Sequence, residues 1–247
     1  MISVESLTKY FATPKGRKYV FRDLNFCLED HVNVGILGSN GAGKTTLINI
    51  IAGIETPTAG RVRTTESISW PLGLTNAFQG GMTGFQSARF VCRIHGCSGK
   101  TLVNAVSFVK EFSELGNYFN MPVSTYSTGM RARLGFALSM AFEFDTLLID
   151  EAMAPGDARF REKANKVLAD RRAQCRVIMV SHSLMELSRS CEAGILIQDG
   201  QARFYQRFED AMIAYAGEEV ANAVRNGRYN PDKMPIRPNR SLANTSN

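Results

Sequence analysis

The chain has 247 residues, 44% of them hydrophobic, which is enough apolar material for one large domain or two modest ones. Its net charge of +6 is a mild excess that fits nucleotides, a membrane surface or nucleic acid equally well. The five cysteines are scattered without a C-x-x-C pair, and no apolar run approaches the ~18–20 residues that cross a bilayer, so a reducing cytosol and at most peripheral membrane association are expected.

The N-terminal region reads as two short strands, at residues 2–4 and 21–28, with a basic loop before the second. It does not have the form of a signal peptide. Tyr10 lies between the two strands. Its ring is either a stacking platform for a purine base or an ordinary core or surface tyrosine, and its position alone leaves both open.

The clearest motif lies in the glycine-rich stretch 38–46, of which residues 38–45 fit G-x-x-x-x-G-K-[ST]. An apolar run at 32–37 predicts a buried strand before it, and apolar residues at helical spacing follow it until Gly53. A glycine loop between a strand and a helix turns its N–H groups toward an anion, so it predicts a phosphate site. Lys44 is expected to reach the β- and γ-phosphates, and the Thr45 hydroxyl to bind Mg²⁺. The predicted nucleotide-binding residues of this loop are Gly38, Ser39, Asn40, Gly41, Ala42, Gly43, Lys44, Thr45 and Thr46.

Residues 73–84 are rich in glycine and predict a loop, which contains Gln79. Residues 85–118 read mainly as helix. Near the start of this helical region, apolar and basic side chains alternate: Phe85, Arg89, Phe90 and Arg93. They belong either to ordinary core packing or to a groove that faces a partner, and the pattern does not decide.

A turn of small residues opens a strongly apolar helix within residues 124–144. Ser127 and Gly129 lie where this helix begins. Their N–H groups form a second potential phosphate site, or Ser127 is simply an N-cap.

Two further strands end in polar side chains. The apolar run 147–149 is followed by Asp150 and Glu151, and two carboxylates at the end of a buried strand suggest a chemical role. Asp150 suits a Mg²⁺ ligand, and Glu151 suits polarisation of an attacking water. The strand predicted at 176–180 is followed by His182, at the sheet edge where open α/β folds bind ligands.

The C-terminal part begins with a hairpin at residues 195–205, whose turn is Asp199-Gly200. Phe208, Met212 and Tyr215 then predict one short amphipathic helix. From about Gly227 the sequence becomes rich in proline, asparagine and basic residues, which predicts a disordered basic tail.

Taken together, these residues resemble the ATP-binding subunit of an ABC transporter over roughly residues 1–215. The resemblance makes 38–45 the Walker A loop, Asp150 the end of Walker B, and Asp157 part of the loop that follows. It also favours base stacking for Tyr10. Residues 126–130 stand at the family signature Leu-Ser-Gly-Gly-Gln and depart from it at three of five positions, although Ser127 and Gly129 are kept. The resemblance implies that Lys44, Glu151 and His182 are catalytic and that Thr45, Gln79 and Asp150 are metal ligands. It adds Tyr10 and Gln79 to the ATP-binding residues. It also implies that Ser127, Thr128 and Gly129 bind the ATP held by the other subunit.

Several stretches are similar to the subfamily that exports capsular and related cell-surface polysaccharides, namely 68–74, 78–84, 89–94, 127–134 and 156–160. Relatives that export O-antigen often add a C-terminal carbohydrate-binding domain, and this chain ends soon after the ATPase. Pro155 departs from the residue expected there, which leaves the shape of the loop around Asp157 open.

The resemblance implies an α/β fold: a P-loop ATPase with a RecA-like core, an N-terminal antiparallel β subdomain and a helical signature subdomain. The expected organisation is an ATPase domain at 1–222, with the helical part at about 82–140, and a disordered tail at 223–247. The cofactors are ATP and Mg²⁺. The implied assembly is a homodimer with a membrane-spanning permease, at the cytoplasmic face of the bacterial inner membrane, moving polysaccharide and binding no nucleic acid.

Other functions stay open at this point. One is export of O-antigen, teichoic acid or another lipid-linked glycan. Another is a soluble ABC ATPase outside transport, although the segment between the glycine loop and the signature carries no heptads for the coiled coil of chromosome ATPases. A small-molecule kinase would need neither the signature nor His182.

Overall fold

A computed structural model describes residues 1–28, 31–72, 81–150 and 158–236. The strands are β1 (Ile2–Thr13), β2 (Gly16–Leu28), β3 (Val34–Leu37), β4 (Ala59–Thr64), β5 (Thr146–Asp150), β6 (Arg176–Val180), β7 (Ala193–Gln198) and β8 (Gln201–Tyr205). The α-helices are α1 (Lys44–Ile51), α2 (Gly84–Ile94), α3 (Gly99–Ser113), α4 (Thr128–Met140), α5 (Ala158–Arg172), α6 (Leu184–Ser190), α7 (Phe208–Ala216) and α8 (Glu218–Arg225). Short 3₁₀ helices lie at Gly116–Asn120 and Val123–Thr125.

The described residues form two compact units. The first contains residues 1–28, 31–68, 148–150 and 176–236, and the second contains 69–72, 81–147 and 158–175. The first unit holds a three-stranded antiparallel sheet with the order β2-β1-β4. A five-stranded sheet follows the order β5-β6-β3-β7-β8, and in it β3 runs parallel to both β6 and β7.

One apolar core fills the first unit and includes side chains from both sheets and from α1. Strands β3 and β6 are buried along their whole length, as expected for central strands covered on both faces. The inward face of α1 supplies Leu47, Ile48, Ile50 and Ile51, which are packed into the same cluster as Phe21 of β2 and Ile195 of β7. The core therefore supports the loop between β3 and α1 by fixing the strand before it and the helix after it.

The second unit is mainly helical and has an aromatic centre. The Phe112 ring of α3 stacks on Phe136 of α4 at 6.0 Å and meets Phe160 of α5 edge to face at 5.8 Å. Cations cover this cluster, with Lys163 4.5 Å from the Phe112 ring centre and Arg133 5.0 Å from that of Phe160. These contacts fix the three helices against each other.

Several predicted boundaries are wrong. β1 extends through Thr13, so Tyr10 lies inside a strand, and β2 begins at Gly16 instead of residue 21. The region 85–118 contains two α-helices, because Gly96 takes a positive φ angle between them, as does Gly99 at the start of α3. The hairpin with its Asp199-Gly200 turn is confirmed, and both turn residues have positive φ as a type I′ turn requires.

A second C-terminal helix, α8, follows the predicted one. Its apolar stripe of Val220, Ala221 and Val224 is buried. The boundary placed at residue 222 therefore falls inside a packed helix. The described residues just beyond it are still hydrogen-bonded, since the Arg228 N–H donates to the Ala223 carbonyl at 2.8 Å.

Among the described helices the longest have 15 residues, and none combines the length and apolar character needed to cross a bilayer.

Gly35 in the buried strand β3 gives a direct test of this packing. A Cβ at this position would lie 2.6 Å from Cε2 of Phe208 and 3.3 Å from Cδ2 of Leu187. Because overpacking a dense core costs about 1–3 kcal/mol, Gly35→Ala should lower the free energy of unfolding by that amount in urea denaturation. Gly81→Ala is the matched control, since nothing lies within 4 Å of the added Cβ. Equal stability of the two variants would contradict the packing described for β3.

Candidate functional site

The loop between β3 and α1 has the backbone shape that the glycine motif predicts. Gly43 adopts φ +108° just before α1 begins, and a Cβ there would collide with the Val20 side chain of β2. At Gly38 an added Cβ would lie 2.5 Å from the Ile197 carbonyl oxygen of β7. Glycine is therefore required at both places by close contact, and the predicted order of strand, glycine loop and helix is confirmed.

The Lys44 ammonium lies next to the backbone carbonyls at the start of this loop. Its Nζ donates to the carbonyl oxygens of Gly38 at 2.7 Å and Ser39 at 3.0 Å. Burial lowers the pKa of Lys44, and the charge of Asp150 opposes that shift. A partly desolvated cation next to the N-terminus of α1 forms an electropositive cup suited to phosphate oxygens.

Asp150 ends β5 and connects it to the first turn of α1. The carboxylate is buried, and its Oδ2 accepts a hydrogen bond of 2.7 Å from the Thr45 hydroxyl. Hydroxyl and carboxylate oxygens beside a phosphate cup suit Mg²⁺, which takes few protein ligands and completes its shell with phosphate and water. The described residues hold no cluster of three His, Cys, Asp or Glu side chains that would bind a metal without such help.

His182 lies at the same sheet edge, two residues after β6 ends. β6 is the parallel neighbour of β3, so the segments that follow both strands leave from one edge. A local network fixes the turn: Ser181 Oγ donates to Glu186 Oε2 at 3.0 Å and accepts from the Ser183 N–H at 3.1 Å. Ser183 in turn caps α6, and the His182 side chain is exposed.

Tyr10 is connected to the phosphate loop through β2. It pairs directly with Tyr19, and the two ring centres are 5.2 Å apart. The next residue of β2 is Val20, which contacts the loop at Gly43. Tyr10, the glycine loop, Asp150 and His182 all belong to the first unit.

Ser127, Thr128 and Gly129 lie in the second unit at the beginning of α4. Ser127 is the N-cap, and its hydroxyl accepts from the Met130 N–H at 3.2 Å. The capping role is therefore confirmed, while a role in phosphate binding stays a prediction. Ser127 and Thr128 are exposed.

Three predicted site residues, Gln79, Glu151 and Asp157, lie outside the described residues, as does Pro155. Their roles stay predictions. Tyr19 and Arg17 of β2 are neighbours of Tyr10, and no motif in the sequence indicates either contact. A single long hairpin around the Pro14–Gly16 turn would have placed both opposite Tyr10, but its register depends on bulges that no sequence pattern marked.

A family model described as ABC transporter matches residues 21–154. The chain is 47% identical over 216 residues to the polysialic acid transport ATP-binding protein KpsT of Escherichia coli, covering 87% of this chain and 98% of the relative. It is 46% identical to the capsule polysaccharide export ATP-binding protein CtrD of Neisseria meningitidis, covering 87% and 97%. The teichoic acids export ATP-binding protein TagH of Listeria innocua is 34% identical, and the alignment covers 77% of this chain and 58% of TagH.

Among solved structures, a dimeric ATP-binding cassette in a post-hydrolysis state with ADP and phosphate matches with a TM-score of 0.67. The match has 21% identity and covers 84% of this chain and 99% of that chain. Similarity at this level shows the fold, and the predicted fold of a RecA-like core with an antiparallel β subdomain and a helical subdomain is confirmed.

The electrostatic influence of Asp150 on Lys44 predicts a change in the pKa of this lysine. Because the Asp150 charge raises the pKa of Lys44 against the effect of burial, Asp150→Asn should lower that pKa further. NMR titration of the lysine side-chain signals measures it. Asp210→Asn, which removes an exposed carboxylate of α7, should leave the Lys44 titration unchanged. A Lys44 pKa that stays constant or rises in Asp150→Asn would show that the carboxylate does not act on this lysine.

Proposed function

Because the chain belongs to the ABC transporter family of ATPases, we propose that it energises export of a capsular or related cell-surface polysaccharide through a separate permease. The ATPase activity is supported by the hydrogen bond from Thr45 to the buried Asp150, next to the electropositive cup formed at Lys44. The cargo rests on the relatives KpsT and CtrD, whose names state polysialic acid transport and capsule polysaccharide export and which the chain covers almost completely.

The reaction is ATP + H₂O → ADP + phosphate. The loop N–H groups and Lys44 bind the β- and γ-phosphates, and Tyr10 stacks on the base. Thr45, Asp150 and Gln79 would hold Mg²⁺, and the ion would supply positive charge against the phosphate oxygens. Glu151 positions the attacking water, and His182 stabilises charge on the transferring group.

The working form is a homodimer in which two subunits enclose two ATP molecules. Each ATP is bound by the glycine loop of one subunit and by Ser127, Thr128 and Gly129 of the other. The N-terminal end of α4 suits this role, since it presents exposed polar side chains and N–H groups next to the helix dipole. Closure around ATP but not around ADP would convert binding into motion.

The outer face of α2 is the proposed contact with the permease. Phe85, Phe90 and Ile94 are exposed by 41%, 51% and 65%. Arg89 and Arg93 are exposed on the same helix. Phe90 is therefore not part of the core. The Phe85 ring does have a packing contact, since it meets Phe119 edge to face at 6.3 Å. Arg89 and Arg93 lie one turn apart in the middle of this exposed face, with Phe85 on one side and Phe90 and Ile94 on the other. A mixed apolar and cationic face suits an amphipathic helix of a membrane protein, which would place the chain peripherally at the cytoplasmic face of the inner membrane.

Teichoic acid or another lipid-linked glycan, including O-antigen, is the alternative cargo. The TagH alignment favours it less, because identity falls to 34% and the chain spans only 58% of that relative.

Replacing Glu151 tests catalysis and cargo together. Glu151→Gln should retain ATP binding and lose at least about 10²-fold in steady hydrolysis, because a general base contributes that much. In the source cell, surface polysaccharide should fall while internal polysaccharide accumulates, as measured by quantifying both pools. Glu219→Gln, an exposed carboxylate of α8, is the control and should behave as wild type. Rapid hydrolysis by Glu151→Gln would refute the catalytic assignment, and normal surface polysaccharide would refute the cargo.

Charge reversal on α2 tests the permease contact. The double variant Arg89→Glu/Arg93→Glu should lose co-purification with the permease from detergent-solubilised membranes while retaining ATP binding. The matched control is Arg161→Glu/Lys166→Glu, which reverses two exposed charges on α5. Assembly that is unchanged in the α2 variant would exclude this face as the contact.

A further inference from the structure

Four side chains of the β1–β2 hairpin form a row in which two adjacent tyrosine rings lie between two arginine cations. The Arg17 guanidinium lies over the Tyr10 ring, 4.8 Å from its centre. The Tyr10 and Tyr19 rings are 5.2 Å apart and tilted by 52°. Arg22 lies 3.6 Å from the centre of the Tyr19 ring. The ring that is proposed to receive the base is therefore already flanked by Tyr19 and by Arg17.

The register of the hairpin explains this arrangement. Tyr10 pairs with Tyr19, and Ala12 pairs with Arg17, so Arg17 is the diagonal neighbour of Tyr10 on the same face of the sheet. Lys18 pairs with Phe11 and, by the alternation of a strand, belongs to the opposite face. Arg17 therefore lies against Tyr10, whereas its neighbour Lys18 is on the opposite face of the hairpin.

Arg17 interacts with the side chains of both Tyr10 and Tyr19. A hydrogen bond to the Tyr19 side chain, followed by the electrostatic influence of Tyr10 and Tyr19, raises the pKa of Arg17. The side chain is exposed and follows Gly16, which has φ +111° at the end of the turn. Tyr19 is less free to move, because its backbone lies against the β7–β8 turn, where a Cβ on Gly200 would be 3.3 Å from the Tyr19 carbonyl oxygen.

We propose that Arg17 is a positioning residue of the nucleotide site, which covers the Tyr10 ring in the nucleotide-free protein and has to leave it before a base can stack there. This rests on the proposed ATP binding and adds a step to it. Arg17 competes with the base for one aromatic face and does not compete with the phosphates, which bind at the glycine loop. Its effect is therefore specific for ligands that carry a base.

The relative strengths of the cation–π contact and of base stacking decide whether ATP displaces Arg17. An exposed cation–π contact corresponds to about two- to fivefold in an equilibrium constant. Stacking of a base on an aromatic ring corresponds to about fivefold or more. The base therefore displaces Arg17, and ATP binds in its presence with an affinity lowered by about two- to fivefold.

The experiment measures Kd by calorimetry for ATP, ADP and inorganic tripolyphosphate. Arg17→Ala should bind ATP and ADP about two- to fivefold more tightly than Lys18→Ala, which loses the same charge on the opposite face. The two variants should bind tripolyphosphate equally. Arg17→Lys, which keeps a cation but not the planar stack, should lie between Arg17→Ala and wild type.

A spectroscopic readout follows Arg17 itself. In the wild type, the side-chain protons of Arg17 should show ring-current shifts in NMR that disappear on adding ATP and persist on adding tripolyphosphate. Shifts that persist with ATP bound would overturn the proposal.

The outcomes separate this proposal from the function on which it rests. If the wild type binds ATP but Arg17→Ala binds it no more tightly than Lys18→Ala, Arg17 does not cover the base site and the proposal is overturned alone. If Arg17→Ala binds ATP more weakly while tripolyphosphate is unaffected, Arg17 clamps the base and the proposal is again overturned. If the wild type binds neither ATP nor tripolyphosphate, the proposed function is overturned as well.

Discussion

A buried carboxylate at the end of β5 is the constraint on which the site depends. A charge with only 4% exposure is stable only where partners satisfy it, and Asp150 receives the Thr45 hydroxyl while its charge acts on Lys44. These partners are consecutive residues at the start of α1, so one carboxylate joins the edge of the sheet to the helix that follows the glycine loop. Because the carboxylate is buried, little water screens its hydrogen bond to Thr45, and this connection is stronger than it would be at the surface.

The shape of the loop comes from its neighbours as much as from its glycines. Gly43 is pressed against Val20 of the antiparallel sheet, and Gly38 against the Ile197 carbonyl of the five-stranded sheet. The two sheets share one apolar core with α1, so a displacement of either sheet would reach the phosphate loop directly. The antiparallel hairpin therefore has two roles, since it closes one side of the loop and carries Tyr10.

The sequence predicts the phosphate end of the site well because that end is local. The glycine loop, Lys44 and Thr45 are contiguous, and Asp150 and His182 each follow an apolar strand that periodicity can identify. The base end depends on pairing between distant residues. Tyr10 meets Tyr19 and Arg17 only because of the register of β1 and β2, and this register shifts three times between Val4 and Tyr10. α8 was missed for a related reason, since its apolar stripe is short and lies within a polar segment.

The two ends of the site are stabilised by different kinds of contact. At the phosphate end, two hydrogen bonds of 2.7 Å, from Lys44 to the Gly38 carbonyl and from Thr45 to the buried Asp150, are partly shielded from water, which strengthens them. The base end is built from the exposed Arg17 and half-buried rings, in contacts that solvent weakens and that can be exchanged for others of similar strength. A nucleotide would therefore meet a preformed phosphate cup and an adjustable base platform. In the proposed binding mode, the phosphates would supply affinity that is common to all nucleotides, and the hairpin would supply the part that distinguishes a nucleotide from a bare polyphosphate.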